Sequence, residues 1–144
     1  MLPQAEADEL LRMAKRFEHA AAVVAFPPGA NETYELTAES GREKFLLDIW
    51  RGTIRISKLK LQNRVRTAVV LARLDVHGAP HTNPDLTRIG GTHLHLYREG
   101  YEDRWAFPVD PLPFPHLADP AATFHDFCRY CNVIAPPAAQ GWLT

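Results

Sequence analysis

The sequence predicts an α+β fold: one N-terminal helix packed on a curved antiparallel sheet of about five strands, followed by a short C-terminal helix. Apolar residues recur at helical spacing near the N-terminus, strand-like alternation occupies the middle of the chain, and a helix-capping sequence lies near the C-terminus. A length of 144 residues with 46% hydrophobic residues is typical of one soluble domain. We therefore expect a single domain spanning residues 1–144.

The first predicted helix spans Glu6 to Ala25. Its apolar residues are three or four positions apart and form one stripe, which consists of Leu10, Met13, Ala14, Phe17, Ala20, Ala21 and Val24. The sequence FPPGAN follows, and two prolines and a glycine cannot continue a helix. We expect this stripe to cover one face of the sheet.

Strand patterns begin at Tyr34. Arg51 and Gly52 predict a tight turn, and a change of apolar phase near Ser57 and Lys58 predicts a bulge. One segment, RTAVVLARLDV, is apolar on both faces and suits a central strand covered by the first helix. The predicted strands, in order, are YELTAES, EKFLLDIW, TIRISKLKLQ, RTAVVLARLDV, THLHLY and RWAFPV.

The last predicted helix begins after Asp119, which is a good capping residue, and Pro120 suits its first position. Its apolar stripe consists of Phe124, Phe127, Cys128 and Cys131. We expect both cysteines to pack in the core, since zinc ligands and redox pairs occupy turns or helix starts. Trp142 in the terminal segment indicates docking of that segment on the body or on another chain.

Basic residues are concentrated in the middle of the chain although the net charge is only -1. The stretch from Arg42 to Arg73 holds nine basic residues against Glu43 and Asp48. This pattern is typical of a surface that binds a phosphate backbone, and an ordinary solvated sheet face produces it too. The predicted nucleic-acid contacts are Arg55, Lys58, Lys60, Arg64, Arg66 and Arg73.

The segment GTHLHLY carries the main chemical signal. In an extended strand, His93, His95 and Tyr97 share one face, whereas the alternate residues Thr92, Leu94 and Leu96 share the other. The preceding loop, HGAPHTNPDLTRIGG, is too long for a simple hairpin and contains His81. These residues lie next to the basic strands in the sequence.

Such a set supplies the parts for RNA cleavage without a metal. The reaction needs a base for the 2'-hydroxyl, an acid for the leaving 5'-oxygen and cations for the phosphorane. Histidine suits both proton-transfer roles. The predicted catalytic residues are His81, His93, His95 and Tyr97, with no cofactor and no metal. Partly exposed histidines on an edge strand are the plain structural alternative.

A metal-binding interpretation is also open. His93, His95 and Glu99 form the pattern HxHxxxE, which resembles the first metal-binding motif of cupins. His81 would be the extra ligand.

The order LARLDVHGAPHTNP followed by GTHLHLY resembles TumE-type toxins of bacterial toxin-antitoxin pairs and small proteins of bacteria and mobile elements. The resemblance covers about residues 67–110. It implies that Arg73, Asp75, His81, His93 and His95 are functional, and that a helix-turn-helix antitoxin is the partner.

Three functions follow as hypotheses. The first is a toxin- or defence-type endoribonuclease acting on RNA. The second is a non-enzymatic mobile-element protein that inhibits a host defence or nucleic-acid complex through its basic face, and the third is a cupin-like metal-binding protein. We expect a cytoplasmic protein with no membrane partner, because the chain shows neither a signal peptide nor a membrane-length apolar run. A homodimer is left open.

Overall fold

The computed structural model describes residues 1–141 and has the α+β fold that the sequence predicts. It has a large antiparallel sheet, an N-terminal helix and a short C-terminal helix. The elements within this range are α1 (Gln4–Arg12), β1 (Lys15–Phe17), β2 (Val23–Phe26), β3 (Asn31–Ala38), β4 (Lys44–Arg51), β5 (Leu59–Val65), β6 (Val69–Val76), β7 (His81–Thr82), β8 (Arg88–Ile89), β9 (His93–Leu96), β10 (Ala106–Pro108), α2 (Pro120–Tyr130) and β11 (Ala138–Gly141).

The main sheet contains seven strands in the order β1-β3-β4-β5-β6-β9-β10. Strands β2 and β11 form a separate parallel pair, and β7 and β8 form a small hairpin inside the predicted loop. The central position of β6 and its cover by α1 are confirmed. The sheet exceeds the expected size of about five strands, partly because β1 comes from a segment that was predicted to be helical.

The predicted helix from Glu6 to Ala25 is too long. Helix α1 ends at Arg12, and the chain continues as β1, which pairs with β3 and forms one edge of the main sheet. Lys15 is fully buried, and its ammonium donates hydrogen bonds to the carbonyls of Leu11 and Met13 at 2.8 and 3.0 Å. Sheet pairing and this capping contact override the helical spacing of the apolar residues.

The connection between β4 and β5 also differs from the prediction. Residues 52–58 form a loop closed by a hydrogen bond from the Gly52 amide to the Lys58 carbonyl at 3.0 Å, and the side chain of Ile54 is fully exposed. A Cβ at position 52 would lie 2.2 Å from the Arg55 carbonyl oxygen, so this turn requires glycine. The register shift in β5 occurs at Asn63 and Arg64 rather than near Ser57 and Lys58.

The main sheet has one apolar face and one polar face. The apolar face includes Leu47, Leu61 and Leu74, and these residues belong to the same core as α1 and α2. Residues paired across antiparallel strands share a face, so strand register identifies the other side. The polar face comprises Asp48, Trp50, Lys60, Gln62, Arg64, Arg73, Asp75, His93 and His95.

The C-terminal helix follows the prediction closely. The side chain of Asp119 accepts a hydrogen bond from the Ala122 amide at 3.2 Å, and Pro120 occupies the first turn. Cys128 and Cys131 are buried in the core, which confirms their packing role. Trp142 lies outside the described residues. Among residues 1–141, no helix is long and apolar enough to cross a membrane.

Candidate functional site

Strand register brings acidic, basic and imidazole side chains together on the polar face. Strands β6 and β9 pair Asp75 with His93 and Arg73 with His95. Because paired residues share a face, the four side chains form one group on two neighbouring interior strands, close to the β10 edge of the sheet. We call these four residues, together with His81, the histidine cluster.

The ring of His93 lies between two hydrogen-bond acceptors. Its Nδ1 atom is 2.7 Å from the Gly90 carbonyl oxygen, and its Nε2 atom is 3.0 Å from the Asp75 carboxylate. Only the form with a proton on both nitrogens can donate to both acceptors. His93 is 2% exposed, so the structure favours a buried imidazolium–carboxylate pair.

His95 is held differently. Its Nδ1 atom donates to the Asp103 carbonyl at 2.7 Å, and its Nε2 atom accepts from the Arg73 guanidinium at 2.9 Å. A neutral ring with its proton on Nδ1 satisfies both contacts. Arg73 also lies 3.3 Å from the Asp75 carboxylate and 3.2 Å from the Asp103 carboxylate. The guanidinium therefore links two acids and one histidine.

Asp75 remains ionised within this group. Burial by itself raises the pKa of its carboxyl, whereas the neighbouring His95 ring and the positive charges of Arg73 and His93 lower it. The net effect is a pKa below the ordinary value of 3.8. The negative charge is thus retained in a buried position at neutral pH.

His81 brings the predicted loop into the cluster. Its ring centroid lies 4.7 Å from that of His95 and 5.6 Å from that of His93. Its Nε2 atom donates to the Arg104 carbonyl at 2.8 Å, whereas its Nδ1 atom has no hydrogen-bond partner in the part of the chain that the structure describes. His81 is half-buried and is the most exposed histidine of the cluster.

Two contacts position the loop that carries His81. Asn83 is buried and exchanges two hydrogen bonds with the backbone of Ala106, at 2.9 and 2.8 Å. The two ends of the loop also lie close together at Gly78 and Gly91. A Cβ at Gly91 would lie 2.2 Å from the Gly78 carbonyl oxygen, so this close approach requires glycine at position 91. Asn83 is not among the predicted site residues, although the Asn-Pro pair at this position is typical of a structured turn.

Tyr97 does not join the histidine cluster. Strand β9 ends at Leu96, so the alternation that predicted a shared face stops one residue too early. The Tyr97 side chain is buried in the core, and its hydroxyl donates to the Leu2 carbonyl at 2.6 Å. Its interpretation as a catalytic residue is withdrawn because this contact ties it to the N-terminus.

The predicted nucleic-acid contacts fall into two groups. Arg64 forms two hydrogen bonds with the Asp48 carboxylate, at 2.6 and 2.9 Å, and Arg66 pairs with Glu6 and Glu43. Arg73 lies in the histidine cluster. Within the described residues, no ion pair is formed by Arg55 and Lys58 in the loop 52–58 or by Lys60 on the polar face.

The histidine cluster also contains a potential metal-ligand set. Ligand atoms of Asp75, His93 and His95 all lie within 4.8 Å of one another, and donation from Nδ1 to carbonyls is typical of metal-bound histidines. The Arg73 guanidinium contacts the same Nε2 atom of His95 that a metal would bind. Glu99 of the HxHxxxE pattern is not part of this set, because its carboxylate accepts from the Gln4 amide at 2.7 Å.

The comparisons with known proteins give a family for this chain. No curated protein and no solved structure matches it. A family model matches residues 2–133, a region that includes both helices, the whole main sheet and every residue of the histidine cluster. The chain therefore belongs to DUF6978, a family of unknown function.

Proposed function

We propose that this protein is a small cytoplasmic endoribonuclease of toxin or defence type that cleaves RNA without a metal. The observation that carries the proposal is the half-buried ring of His81, which lies against the buried His93, His95, Asp75 and Arg73 and has an unbonded Nδ1 atom within residues 1–141. This group combines a proton acceptor, a proton donor and a fixed cation.

The roles follow from the hydrogen bonds. Because the Nε2 atom of His81 donates to Arg104, a neutral His81 carries a lone pair on Nδ1 and can take the proton of the 2'-hydroxyl. The 2'-oxygen then attacks phosphorus, and the bond from phosphorus to the 5'-oxygen breaks. Arg73, whose side chain is 27% exposed, stabilises the charge that develops on the phosphoryl oxygens.

The leaving 5'-oxygen takes its proton from His93, which holds a proton on each ring nitrogen in this arrangement. The products are a 2',3'-cyclic phosphate and a 5'-hydroxyl. Because His93 is only 2% exposed, this transfer requires a local opening beside His81 that leaves the contact between His81 and Arg104 intact. His95 holds Arg73 in place through the contact between its Nε2 atom and the guanidinium.

The test is cleavage of labelled total RNA by purified protein, with and without EDTA. We expect cleavage that resists EDTA, yields cyclic phosphate ends, and is lost in His81→Ala and in the double variant His93→Ala/His95→Ala. His19→Ala is the matched control. His19 is exposed, follows β1 at the sheet edge opposite β10, and pairs with Glu35. Thermal unfolding of each variant separates loss of activity from loss of fold.

Two results would overturn the proposal. The first is the absence of cleavage by the folded wild-type protein. The second is cleavage that survives both the His81 change and the double histidine change.

A toxin role adds a prediction about cells. The resemblance of residues 67–110 to TumE-type toxins supports this role, with a helix-turn-helix antitoxin as the proposed partner. Expression in a bacterial host should stop growth, and His81→Ala should restore it. Equal growth arrest by wild type and His81→Ala would contradict a toxicity that depends on RNA cleavage.

A mononuclear metal centre is the second candidate, because the Nε2 atoms of His93 and His95 both face the Asp75 carboxylate, at 3.0 and 3.6 Å. Tetrahedral ligands at about 2.1 Å from a metal lie about 3.4 Å apart, which is close to these distances. Protein purified without chelator should then contain one metal ion per chain, and Asp75→Asn should remove it. Metal content far below one per chain would exclude this candidate.

A further inference from the structure

We propose that Trp50 is a stacking platform for one base of single-stranded RNA, and that Lys60 binds the adjoining phosphate. This inference rests on the proposed function, because it assigns a binding subsite to the same substrate. Trp50 belongs to the predicted strand EKFLLDIW but is not among the predicted site residues.

Strand register places the platform beside the histidine cluster. Trp50 pairs with Lys60, Lys60 pairs with Asp75, and Asp75 pairs with His93. These four residues form a single row across β4, β5, β6 and β9 on the polar face. Three strand spacings separate Trp50 from His93, a distance of about 14 Å. Single-strand-binding folds contact about 4 to 16 nucleotides, so one substrate can span this row.

The side chains in this row fit a nucleotide. The Lys60 ammonium lies 5.1 Å from the centroid of the half-buried Trp50 ring, and Lys60 itself is exposed. Lys60 forms no ion pair within residues 1–141, so its charge is available to a phosphate. Stacking a base on an aromatic ring is worth more than an exposed cation–π contact, so a base can replace the ammonium on the ring.

The surroundings direct the substrate to this side of the histidine cluster. On the β9 side, the loop with His81 and Asn83 covers the sheet. On the β4–β5 side, the carboxylate of Asp48 accepts hydrogen bonds from Arg64, Gln62 and Thr33. An RNA strand that passes from Lys60 toward Asp75 therefore lies beside Asp48, whose negative charge these hydrogen bonds already compensate.

The geometry selects single-stranded rather than duplex RNA. A base can place its face on an indole ring only when it is not stacked within a helix. Stacking itself tolerates every base, because each base has a π-face. We therefore expect preference for unpaired RNA and little preference for sequence at this position.

The test measures binding of a fluorescein-labelled, single-stranded 2'-O-methyl oligoribonucleotide, which lacks the nucleophilic hydroxyl and cannot be cleaved by the proposed route. Fluorescence anisotropy gives the dissociation constant for the wild type and each variant. We expect Trp50→Ala to weaken binding about tenfold. Trp50→Phe keeps a ring and should stay within about threefold of the wild type, and Lys60→Gln should weaken binding and reduce its salt dependence.

Tyr101→Ala is the matched control. Tyr101 is also an exposed aromatic residue next to arginines, with Arg98 and Arg104 each 5.7 Å from its ring, but it lies in the turn between β9 and β10. Its loss should leave the affinity unchanged. Thermal unfolding shows whether Trp50→Ala is folded, and quenching of tryptophan fluorescence by the oligonucleotide should decrease in Trp50→Phe.

The possible results separate the two proposals. Wild-type affinity in folded Trp50→Ala, tighter binding of the duplex form, or no binding by the wild type would each overturn the stacking subsite. If Trp50→Ala loses binding but the wild type cleaves no RNA, the subsite stands and the endoribonuclease proposal is wrong. If the histidine variants abolish cleavage while Trp50→Ala binds normally, only the subsite is wrong.

Discussion

Asp75 carries the negative charge around which the histidine cluster is organised. Its carboxylate lies 3.0 Å from His93 and 3.3 Å from Arg73, and its side chain is 11% exposed. Removing one partner of a buried ion pair leaves the others without compensation. The stability of the sheet should therefore depend on this residue.

We expect Asp75→Asn to lower the free energy of unfolding by about 3 kcal/mol, because the positive charges of Arg73 and His93 lose their nearest counterion. Urea denaturation at pH 7 measures the change. Asp103→Asn is the matched control, since Asp103 also contacts Arg73 but is 30% exposed, and it should cost less than about 1 kcal/mol. Equal losses for the two variants would contradict the central role of Asp75.

The pH dependence of stability gives a second prediction for Asp75. Its pKa is lowered in the folded chain. As the pH falls through the ordinary value of 3.8, the unfolded chain therefore binds more protons than the folded chain does. The stabilisation is complete above 3.8 and is lost progressively as the pH falls toward the lower pKa of the folded state. The difference in unfolding free energy between wild type and Asp75→Asn should therefore shrink below about pH 4. A difference that stays constant from pH 7 to pH 3 would contradict this linkage.

Lys15 connects the C-terminal ends of the two helices. Its ammonium donates to Leu11 and Met13 at the end of α1 and to Cys131, the capping residue of α2, at 2.8, 3.0 and 2.7 Å. The last carbonyls of a helix lack partners within the helix, and a cation near them also favours the helix dipole. One side chain thus holds both helices against the sheet edge.

Replacing this ammonium should weaken both helix ends. We expect Lys15→Met, which keeps the length of the side chain, to lower the free energy of unfolding by about 2 kcal/mol, because buried carbonyls lose their donor. Denaturant unfolding measures this change, with Arg16→Met on the same strand as the exposed control. Unchanged stability of Lys15→Met would show that the capping contact contributes nothing.

The cysteines of α2 should be chemically inert in the folded chain. Burial raises the pKa of the Cys131 thiol to about 12 and that of Cys128 further, so neither forms a thiolate near neutral pH. A coloured disulfide reagent at pH 8 should titrate no thiols in native protein and two in urea. Rapid reaction of the native protein would indicate that α2 opens or that a cysteine has a role besides packing.

Charge across the whole molecule is largely compensated, which limits its affinity for a phosphate backbone. The net charge is -1, and Arg64 and Arg66 are paired with carboxylates. The stretch from Arg42 to Arg73 therefore gives a smaller positive surface in the folded chain than its nine basic residues suggest. Binding of RNA should depend on Lys60 more than on the paired arginines.

We expect Lys60→Gln to reduce the salt dependence of RNA binding by about one phosphate contact, a change of about 0.7 in the slope of log affinity against log salt. Arg64→Gln should leave this slope unchanged and lower stability instead, because it frees Asp48. Anisotropy titrations at several salt concentrations, together with urea unfolding, measure both effects. If Arg64→Gln reduces the salt dependence and Lys60→Gln does not, the Arg64–Asp48 pair opens on binding.

Much of the fold and part of the candidate site could be predicted from local patterns. Alternation in THLHLY placed His93 and His95 on one face, and Asp119 with Pro120 predicted the start of α2. Such patterns report on the nearest neighbours along the chain, which determine strand faces and helix caps. For His81, the sequence predicted a position in the loop that precedes these histidines, and it did not predict that the His81 ring contacts theirs.

The sequence by itself determined the α+β class, the central strand β6, the packing of the cysteines and the residue types available for acid–base chemistry. Only the tertiary structure decided that α1 ends at Arg12, that the Tyr97 hydroxyl binds Leu2, and that Trp50 lies beside Lys60. It also decided which basic residues are paired, since Arg66 contacts Glu6 across 60 positions of the chain. The physical reason is that periodicity specifies which way a side chain faces, whereas its neighbours depend on strand order and register, which the folding of the whole chain sets.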